Sequence, residues 1–210
     1  MSTHAKHARL ALADELEAAG PDAPTLCEGW TARDLAAHVV VRERRLDTAA
    51  GILIPQLAPY SERVRTEYAA KPYEELIRLI RTGPPPLSPF AIPQVDEMAN
   101  TVEFFIHTED VRRAKPDWTG REIDPALADT LWARLRGTAR LFGRRAPVGA
   151  VLRRPDGQTA ILKPGAPVVT VTGEPGELVM FASGRTAAAR VRAEGEEEAV
   201  QKLREANLGI

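Results

Sequence analysis

The chain of 210 residues is 44% apolar and 27% charged, with a formal net charge of −1. This length and apolar fraction allow a sizeable core in one or two domains and exclude wholesale disorder. The near-zero net charge excludes polyanion binding driven by overall charge, so we expect no nucleic-acid partner, although a local basic patch stays open.

Cysteine usage and hydropathy restrict the class of protein further. Cys27 is the single cysteine, which excludes a disulfide within the chain and a zinc site built from several cysteines. No apolar run approaches the roughly 20 residues that a membrane helix needs. The start of the chain also lacks the apolar segment of a secretory signal. We therefore expect a cytoplasmic protein with no membrane partner.

From residue 3 to about residue 145, apolar residues recur with the spacing of amphipathic helices. Thr31 lies three residues before Asp34, which resembles a capping box at a helix start. Gly83 opens a proline-rich stretch over 83–93 that predicts a loop, and this loop could border a site. The predicted helices cover residues 5–19, 31–48, 60–70, 73–81, 94–115 and 125–142.

Near residue 148 the pattern changes to short strands and turns. Asp156 and Gly157 mark the turn of a hairpin. The predicted strands cover 148–153, 159–162, 167–171 and 189–192, and the predicted helices cover 177–183 and 196–206. The expected fold class is therefore mainly α with a small α+β C-terminal unit.

The predicted helix over 94–115 carries a polar stripe inside its apolar face. At roughly 100° per residue, the polar side chains fall within a stripe about 80° wide, bordered by apolar residues on both sides. Because a buried unpaired carboxylate costs several kcal/mol, polar groups in this position need partners. The stripe consists of Asp96, Asn100, Glu103, His107 and Asp110.

Glu103 and His107, four residues apart, bring a carboxylate oxygen and an imidazole nitrogen to the same point of the helix surface. This donor pair suits Zn²⁺ or a similar first-row ion, and one ligand from another helix would complete a site with open coordination positions. His38, in the middle of a predicted helix, is the histidine we select as the third ligand. His4 is set aside because it lies near a terminus that we expect to fray, and His7 is interpreted as structural or solvated.

Interpretations without a metal stay open at this point. A Glu and a His four residues apart commonly form a surface pair, and His38 could be a hydrogen-bonded core histidine. Asn100, Glu103 and His107 could also form a buried polar network with an arginine.

Three segments carry a resemblance to a known family. Residues 25–38 read T-L-C-E-G-W-T-A-R-D-L-A-A-H, and residues 100–113 read N-T-V-E-F-F-I-H-T-E-D-V-R-R with a Glu and a His four apart. Both resemble the DinB-like metal-binding superfamily, and more closely its mycothiol-dependent maleylpyruvate isomerase branch. The segment G-E-L-V-M-F-A-S-G-R at 176–185 resembles the small sterol-carrier-like C-terminal domain of those isomerases.

The resemblance implies a DinB-like four-helix bundle over 1–146 and a small α+β domain over 147–210. It implies that His38, Glu103 and His107 are the metal ligands. Zinc is the favoured ion, with nickel, iron or manganese as alternatives. It also implies a low-molecular-weight thiol as co-substrate, which becomes a thiolate on a metal and can then add to an alkene or displace a leaving group.

Four further side chains are candidates for supporting roles. Arg42 and Arg45 lie within about 40° of His38 on the same helix, where either could bind a substrate carboxylate or simply pair with a nearby acidic residue. Asn100 and Asp110 flank the ligand pair by one helical turn each. We expect one of them to hydrogen-bond to a ligating side chain.

Cys27 precedes a helix start, where a thiol can have a lowered pKa and act as a nucleophile. Packing beneath Trp30 as a small apolar residue is the favoured interpretation.

Two classes of function follow. The first is a metal- and thiol-dependent isomerase or S-transferase that acts on a small electrophile, which would be anionic if the arginines bind it. The second is a non-catalytic metal-binding or sensor protein. Either could form a homodimer.

Overall fold

The computed structural model describes residues 4–49 and 55–209 of the chain. Contacts divide the chain into two compact units, Met1–Thr119 and Gly120–Ile210. The first is helical, and the second combines helices with a small sheet. The predicted fold class, mainly α with a small α+β C-terminal unit, is confirmed.

The first unit consists of helices joined by short connections. Among its described residues these are α1 His4–Ala19, α2 Ala32–Arg44, α3 Ala58–Ala69, α4 Tyr73–Thr82 and α5 Pro93–Arg112. Helix α1 packs along α5, α4 packs against both α1 and α2, and α3 packs against α2. The main core lies between α1, α2, α4 and α5, which is the arrangement of the predicted four-helix bundle.

Helix α2, which carries His38, begins and ends for local reasons. The Asp34 carboxylate accepts hydrogen bonds from the backbone N–H of Thr31 at 3.0 Å and from its hydroxyl at 2.8 Å, as the capping pattern predicts. The helix ends at Arg44, whereas the sequence predicted an end at residue 48. A short 3₁₀ turn, Leu46–Ala49, follows instead, because Arg45 leaves the helical conformation with φ −123° and ψ 69°.

Helix α5 begins with Pro93 in its first turn, a position that needs no backbone N–H donor. In its C-terminal half, residues outside the predicted polar stripe and its apolar borders are buried as well. Thr101, Thr108 and Glu109, which lie outside the predicted polar stripe, are no more than 3% exposed. Glu109 is neutralised there by Arg113, whose Nε donates to its carboxylate at 2.7 Å.

The second unit contains helices α6 Pro125–Phe142, α7 Pro175–Ala182 and α8 Glu197–Arg204. Its strands are β1 Gly149–Arg153, β2 Thr159–Lys163, β3 Val168–Thr172 and β4 Arg192–Glu194. The sheet order is β2-β1-β3-β4, with β1 parallel to β3 and the other pairs antiparallel. The predicted hairpin is present, and Gly157 supplies the positive φ of +89° in its turn.

Helix α6 is the main packing partner of the sheet within this unit. It contacts β2 and α7, and Trp132 of α6 donates from its indole N–H to the side-chain oxygen of Gln158 at 3.0 Å. Gly143, just after α6, passes so close to β2 that an added Cβ would lie 2.3 Å from the carbonyl oxygen of Leu162. The compact units therefore divide before α6, whereas the sequence-based domain boundary, which stays a prediction, lies at 146/147.

Two C-terminal elements differ from their predicted limits. The strand predicted over 189–192 is found at Arg192–Glu194, where it pairs with Thr170–Thr172 of β3. Helix α7 begins at Pro175, two residues before its predicted start. Strand limits follow the register of the partner strand more than local preference. In the described part of the chain, no helix has the length and apolar character of a membrane span.

Candidate metal centre

The polar stripe of α5 faces the protein interior. Asn100 and Asp110 are fully buried, and His107 is 7% exposed. Glu103 retains 29% exposure of its side chain. A small ion or ligand could therefore reach the middle of the stripe, although its neighbours lie within the fold.

Helix α2 brings His38 to the same point. The Nε2 atom of His38 lies 3.4 Å from Oε1 of Glu103, and Nε2 of His107 lies 3.3 Å from the same oxygen. The two imidazole rings meet edge to face with their centroids 5.3 Å apart. His38 precedes Glu103 by 65 residues and His107 by 69 residues in the sequence, yet both imidazoles contact the same Glu103 oxygen.

The three side chains have opposed protonation preferences. Burial lowers the pKa of His38 and so favours its neutral form. Burial alone would lower the pKa of His107 as well, but hydrogen bonds with Asp110, Cys27 and Glu103 hold it well above its usual range. Burial opposes ionisation of Glu103, yet hydrogen bonds with both histidines and the charge of Arg42 hold its pKa well below its usual range.

The donor set fits a divalent first-row ion. One ligand atom from each of His38, Glu103 and His107 lies within 4.8 Å of the other two. Bonds of about 2.0–2.1 Å in a tetrahedral site separate neighbouring ligand atoms by roughly 3.3 Å. The two nitrogen–oxygen distances already have this value. Two imidazoles and one carboxylate leave a fourth position for another ligand.

Asp110 and Cys27 lie behind His107. The Oδ2 atom of Asp110 lies 3.0 Å from Nδ1 of His107 and accepts a hydrogen bond from the Cys27 thiol at 3.2 Å. Asp110 thus contacts the ring nitrogen that faces away from Glu103, as expected for a residue that orients a ligand. Cys27, His107 and Asp110 also form a second group of donors within 4.8 Å of one another.

Of the two candidate anion-binding arginines, Arg42 is the one that lies beside this cluster. Its Nε is 3.3 Å from Oε1 of Glu103. Its Nη1 donates to Oδ1 of Asn100, and its Nη2 donates to the carbonyl oxygen of Ala99 at 3.3 Å. Of the two residues expected to flank the ligand pair, Asp110 contacts His107, whereas Asn100 contacts Arg42.

Arg45 is paired elsewhere. Its Nη2 atom donates to Oδ2 of Asp47 at 2.8 Å and to the hydroxyl of Tyr60 at 2.7 Å. This pairing with an acidic neighbour is the alternative that the sequence left open for Arg45.

Several side chains around the site were not singled out by the sequence. The rings of Trp30 and His38 lie 5.1 Å apart, and the Arg42 guanidinium lies 5.0 Å from the ring centre of Phe90. Arg9 and Glu43 form a buried ion pair beneath Asn100. Arg9 shares a helix face with Ala5, Leu12 and Leu16, so a charge on an apolar face was the available signal.

The model of the mycothiol maleylpyruvate isomerase N-terminal domain family matches residues 3–139. The match covers more than half of the chain, and the chain belongs to this family. It includes His38, Glu103 and His107. A comparison with curated proteins gives no match.

Two solved structures have a similar fold. Crystal structures of the mycothiol-dependent maleylpyruvate isomerase and of a histidine-to-alanine variant both superpose with a TM-score of 0.63. Their sequences are 17% and 16% identical to this chain, respectively, and each superposition covers 92% of this chain and 96% of the matched one. At this identity the match shows the fold, including the helical domain followed by a small α+β domain.

Proposed function

We propose that this protein is a metal- and thiol-dependent enzyme, an isomerase or S-transferase that acts on a small anionic electrophile. The observation that carries the proposal is the convergence of His38, Glu103 and His107 on one point, with the Arg42 guanidinium beside them. Family membership supports a thiol-dependent isomerase, since the family is described by mycothiol and maleylpyruvate.

In this proposal His38, Glu103 and His107 hold the ion and Asp110 fixes the orientation of the His107 ring. Zinc is favoured by the two imidazoles and one carboxylate, with nickel, iron or manganese as alternatives. A divalent ion in this position would favour the thiolate form of a bound thiol at neutral pH. The low-molecular-weight thiol we propose is mycothiol, the thiol named for both matched structures.

The charges around the site favour an anionic substrate. A divalent ion and Arg42 together carry more positive charge than Glu103 and Asp110 neutralise when both histidines are neutral. A guanidinium binds carboxylates with two parallel hydrogen bonds, and Arg42 is placed to do so beside the open position. Arg45 is a weaker candidate, because Asp47 and Tyr60 already occupy its donors.

A non-catalytic metal-binding or sensor protein is the alternative function. The observation in its favour is the second donor group, Cys27, His107 and Asp110. An ion whose coordination is completed by protein side chains such as these would have no position for a thiol.

Metal analysis of the purified protein tests the site. We expect about one first-row ion per chain, as a single three-ligand site requires. His38→Ala and His107→Ala should each lose most of it, whereas His7→Ala, which removes an exposed histidine on α1, should retain it. Full metal retention by both site variants would contradict the proposal.

Calorimetric titration with the thiol separates the two functions. The metal-loaded protein should bind mycothiol, and the metal-free protein should bind it far more weakly. Equal binding to both forms, or no binding to the loaded form, would favour the sensor. A panel of electrophiles, including chlorodinitrobenzene and maleyl compounds, then tests for metal-dependent conjugation or isomerisation.

A further inference from the structure

A chain of buried polar side chains leads from α1 to the edge of the candidate metal centre. Arg9 is 4% exposed and Glu43 is 1% exposed. One Arg9 nitrogen, Nη1, donates to Oε2 of Glu43 at 2.6 Å, and the other, Nη2, donates to Oδ1 of Asp96 at 3.0 Å. Arg9 of α1 is thereby linked to α2 and α5 at once.

The same Asp96 oxygen fixes the orientation of the Asn100 side chain. The Nδ2 atom of Asn100 donates to Oδ1 of Asp96 at 2.7 Å. An amide that donates from its nitrogen on one side must present its oxygen on the other. That oxygen accepts the hydrogen bond from Nη1 of Arg42. If the amide were reversed, its N–H groups would face the guanidinium and repel it.

Arg42 is held by further contacts and still has donors to offer. The carbonyl oxygen of Ala99 accepts from Nη2 at 3.3 Å, and the ring of Phe90 lies 5.0 Å away. A guanidinium has five N–H groups, two on each Nη atom. The hydrogen bonds to Asn100 and Ala99 use one donor on each Nη, and 21% of the side chain is exposed.

We propose that Asp96 and Asn100 are positioning residues, which orient Arg42 to bind a carboxylate of the substrate. The inference rests on the proposed function, because it assigns this substrate class to the same site. A buried ion pair contributes little net stability compared with well-packed apolar residues. Holding a flexible arginine in its binding orientation removes part of the entropy that ligand binding would otherwise cost.

The test uses maleate as a carboxylate probe and its dimethyl ester as the uncharged counterpart. Calorimetry of the metal-loaded and metal-free protein should show binding of maleate and not of the ester. Arg42→Gln should abolish this binding. Asp96→Ala removes the shorter hydrogen bond of the Asn100 amide nitrogen and leaves only the contact with Oε1 of Glu43 at 3.5 Å. It should weaken maleate binding about tenfold, and Asp96→Asn, which keeps an acceptor oxygen, should restore most of it.

Glu97→Ala is the matched control. Glu97 is the next residue of α5 and also contacts α1, since its carboxylate accepts from the backbone N–H of Ala5 at 3.0 Å. This variant should bind maleate as the unchanged protein does. Equal maleate affinities of Asp96→Ala and Glu97→Ala would overturn the inference, and so would equal binding of maleate and the ester by the unchanged protein.

Metal content, measured on the same samples, reports separately on the proposed function. Asp96→Ala should hold as much metal as Glu97→Ala while binding maleate less tightly. If neither the unchanged protein nor any of the variants holds metal, the proposed function is wrong. The comparison of maleate affinities in the metal-free proteins still decides whether Asp96 positions Arg42.

Discussion

One carboxylate oxygen of Glu103 is the point at which His38, His107 and Arg42 meet. Without a metal, these groups neutralise a carboxylate that burial would otherwise protonate. With a metal, the two imidazoles must offer lone pairs, so His107 must give up its proton. Proton loss and metal binding are therefore coupled at this residue.

Metal affinity should rise with pH. The pKa of His107 is raised in the metal-free protein, whereas those of His38 and Glu103 are lowered. Below the raised pKa a proton competes with the ion at His107, and above it the competition ends. Zinc Kd values measured against a competing chelator should fall from about pH 6 upward and then level off.

Calorimetry in buffers of different ionisation enthalpy should show release of about one proton per ion bound near neutral pH. A zinc Kd that does not change with pH, with no proton released, would show that His107 is not a ligand.

Asp110→Asn should weaken zinc binding by about 10–100-fold, because the carboxylate that orients His107 and raises its basicity is lost. Dialysis against chelators of graded affinity measures the change. Cys27→Ala is the informative companion variant. It should retain zinc if the ligands are His38, Glu103 and His107, and it should lose zinc if the ion lies between Cys27, His107 and Asp110.

At the residue scale, the sequence predicted which helix face each side chain occupies better than it predicted the hydrogen-bond partners of that side chain. Helical periodicity placed Asn100, Glu103, His107 and Asp110 on one face, and the structure brings that face together with His38. Periodicity contains no information on which side chain of another helix faces each position. The contact of Asn100 with Arg42, and the hydrogen bonds of Asn100 with Asp96 and Glu43, therefore had to come from the structure.

The start of α2 is connected to His38 through a series of side-chain contacts. Asp34 accepts hydrogen bonds from Thr31 and an ion-pair hydrogen bond from Nη1 of Arg65 on α3 at 2.5 Å. Arg65 in turn lies 4.8 Å above the centre of the Trp30 ring, and the Trp30 ring contacts the His38 ring at a tilt of 49°. Arg65 thus links the capping box of α2 to Trp30, and Trp30 contacts His38.

Asp34→Ala should lower the free energy of unfolding by about 1 kcal/mol at neutral pH, because the capping box at the start of α2 loses the carboxylate that accepts from Thr31 and Arg65. Burial works to raise the pKa of Asp34, but hydrogen bonds from Arg65 and Thr31 outweigh it and lower the pKa below its usual 3.8. Asp34 therefore stabilises the fold above about pH 4, and the contribution is lost as the pH falls through the lowered value.

Urea unfolding of the two proteins at several pH values measures this difference, which should vanish under strongly acidic conditions. Glu62→Ala removes the other, exposed partner of Arg65 and should change stability far less. A penalty for Asp34→Ala that persists unchanged at low pH would contradict the assigned role of the carboxylate.

At the scale of elements, the helices with strong local signals were predicted within a few residues. Helix α6 was predicted at its observed limits from Pro125 in its first turn, and the structure adds that Asp124 caps its start and Gly143 follows its end. The end of α2 and the position of β4 were wrong, since neither depends on local sequence alone. β4 forms where β3 offers a partner, and no turn or periodicity specifies that register.

At the scale of the whole molecule, the compact units and the sequence-based domains differ in where they place α6, because the units divide at 119/120 and the domains at 146/147. The second unit contains α6, which packs on β2 and α7. A fragment of residues 120–210 should therefore fold cooperatively by circular dichroism, whereas residues 147–210 alone, without α6, should not. Equal folding of both fragments would support the sequence-based boundary at 146/147.

The metal ligands themselves are tested most directly by the X-ray absorption spectrum of the zinc-loaded protein. We predict imidazole scattering from two histidines and an oxygen, all at about 2.0–2.2 Å, with no sulfur until a thiol is added. Addition of the thiol should then introduce sulfur at about 2.3 Å. Sulfur in the thiol-free sample, or the absence of imidazole scattering, would show that His38, Glu103 and His107 do not hold the ion.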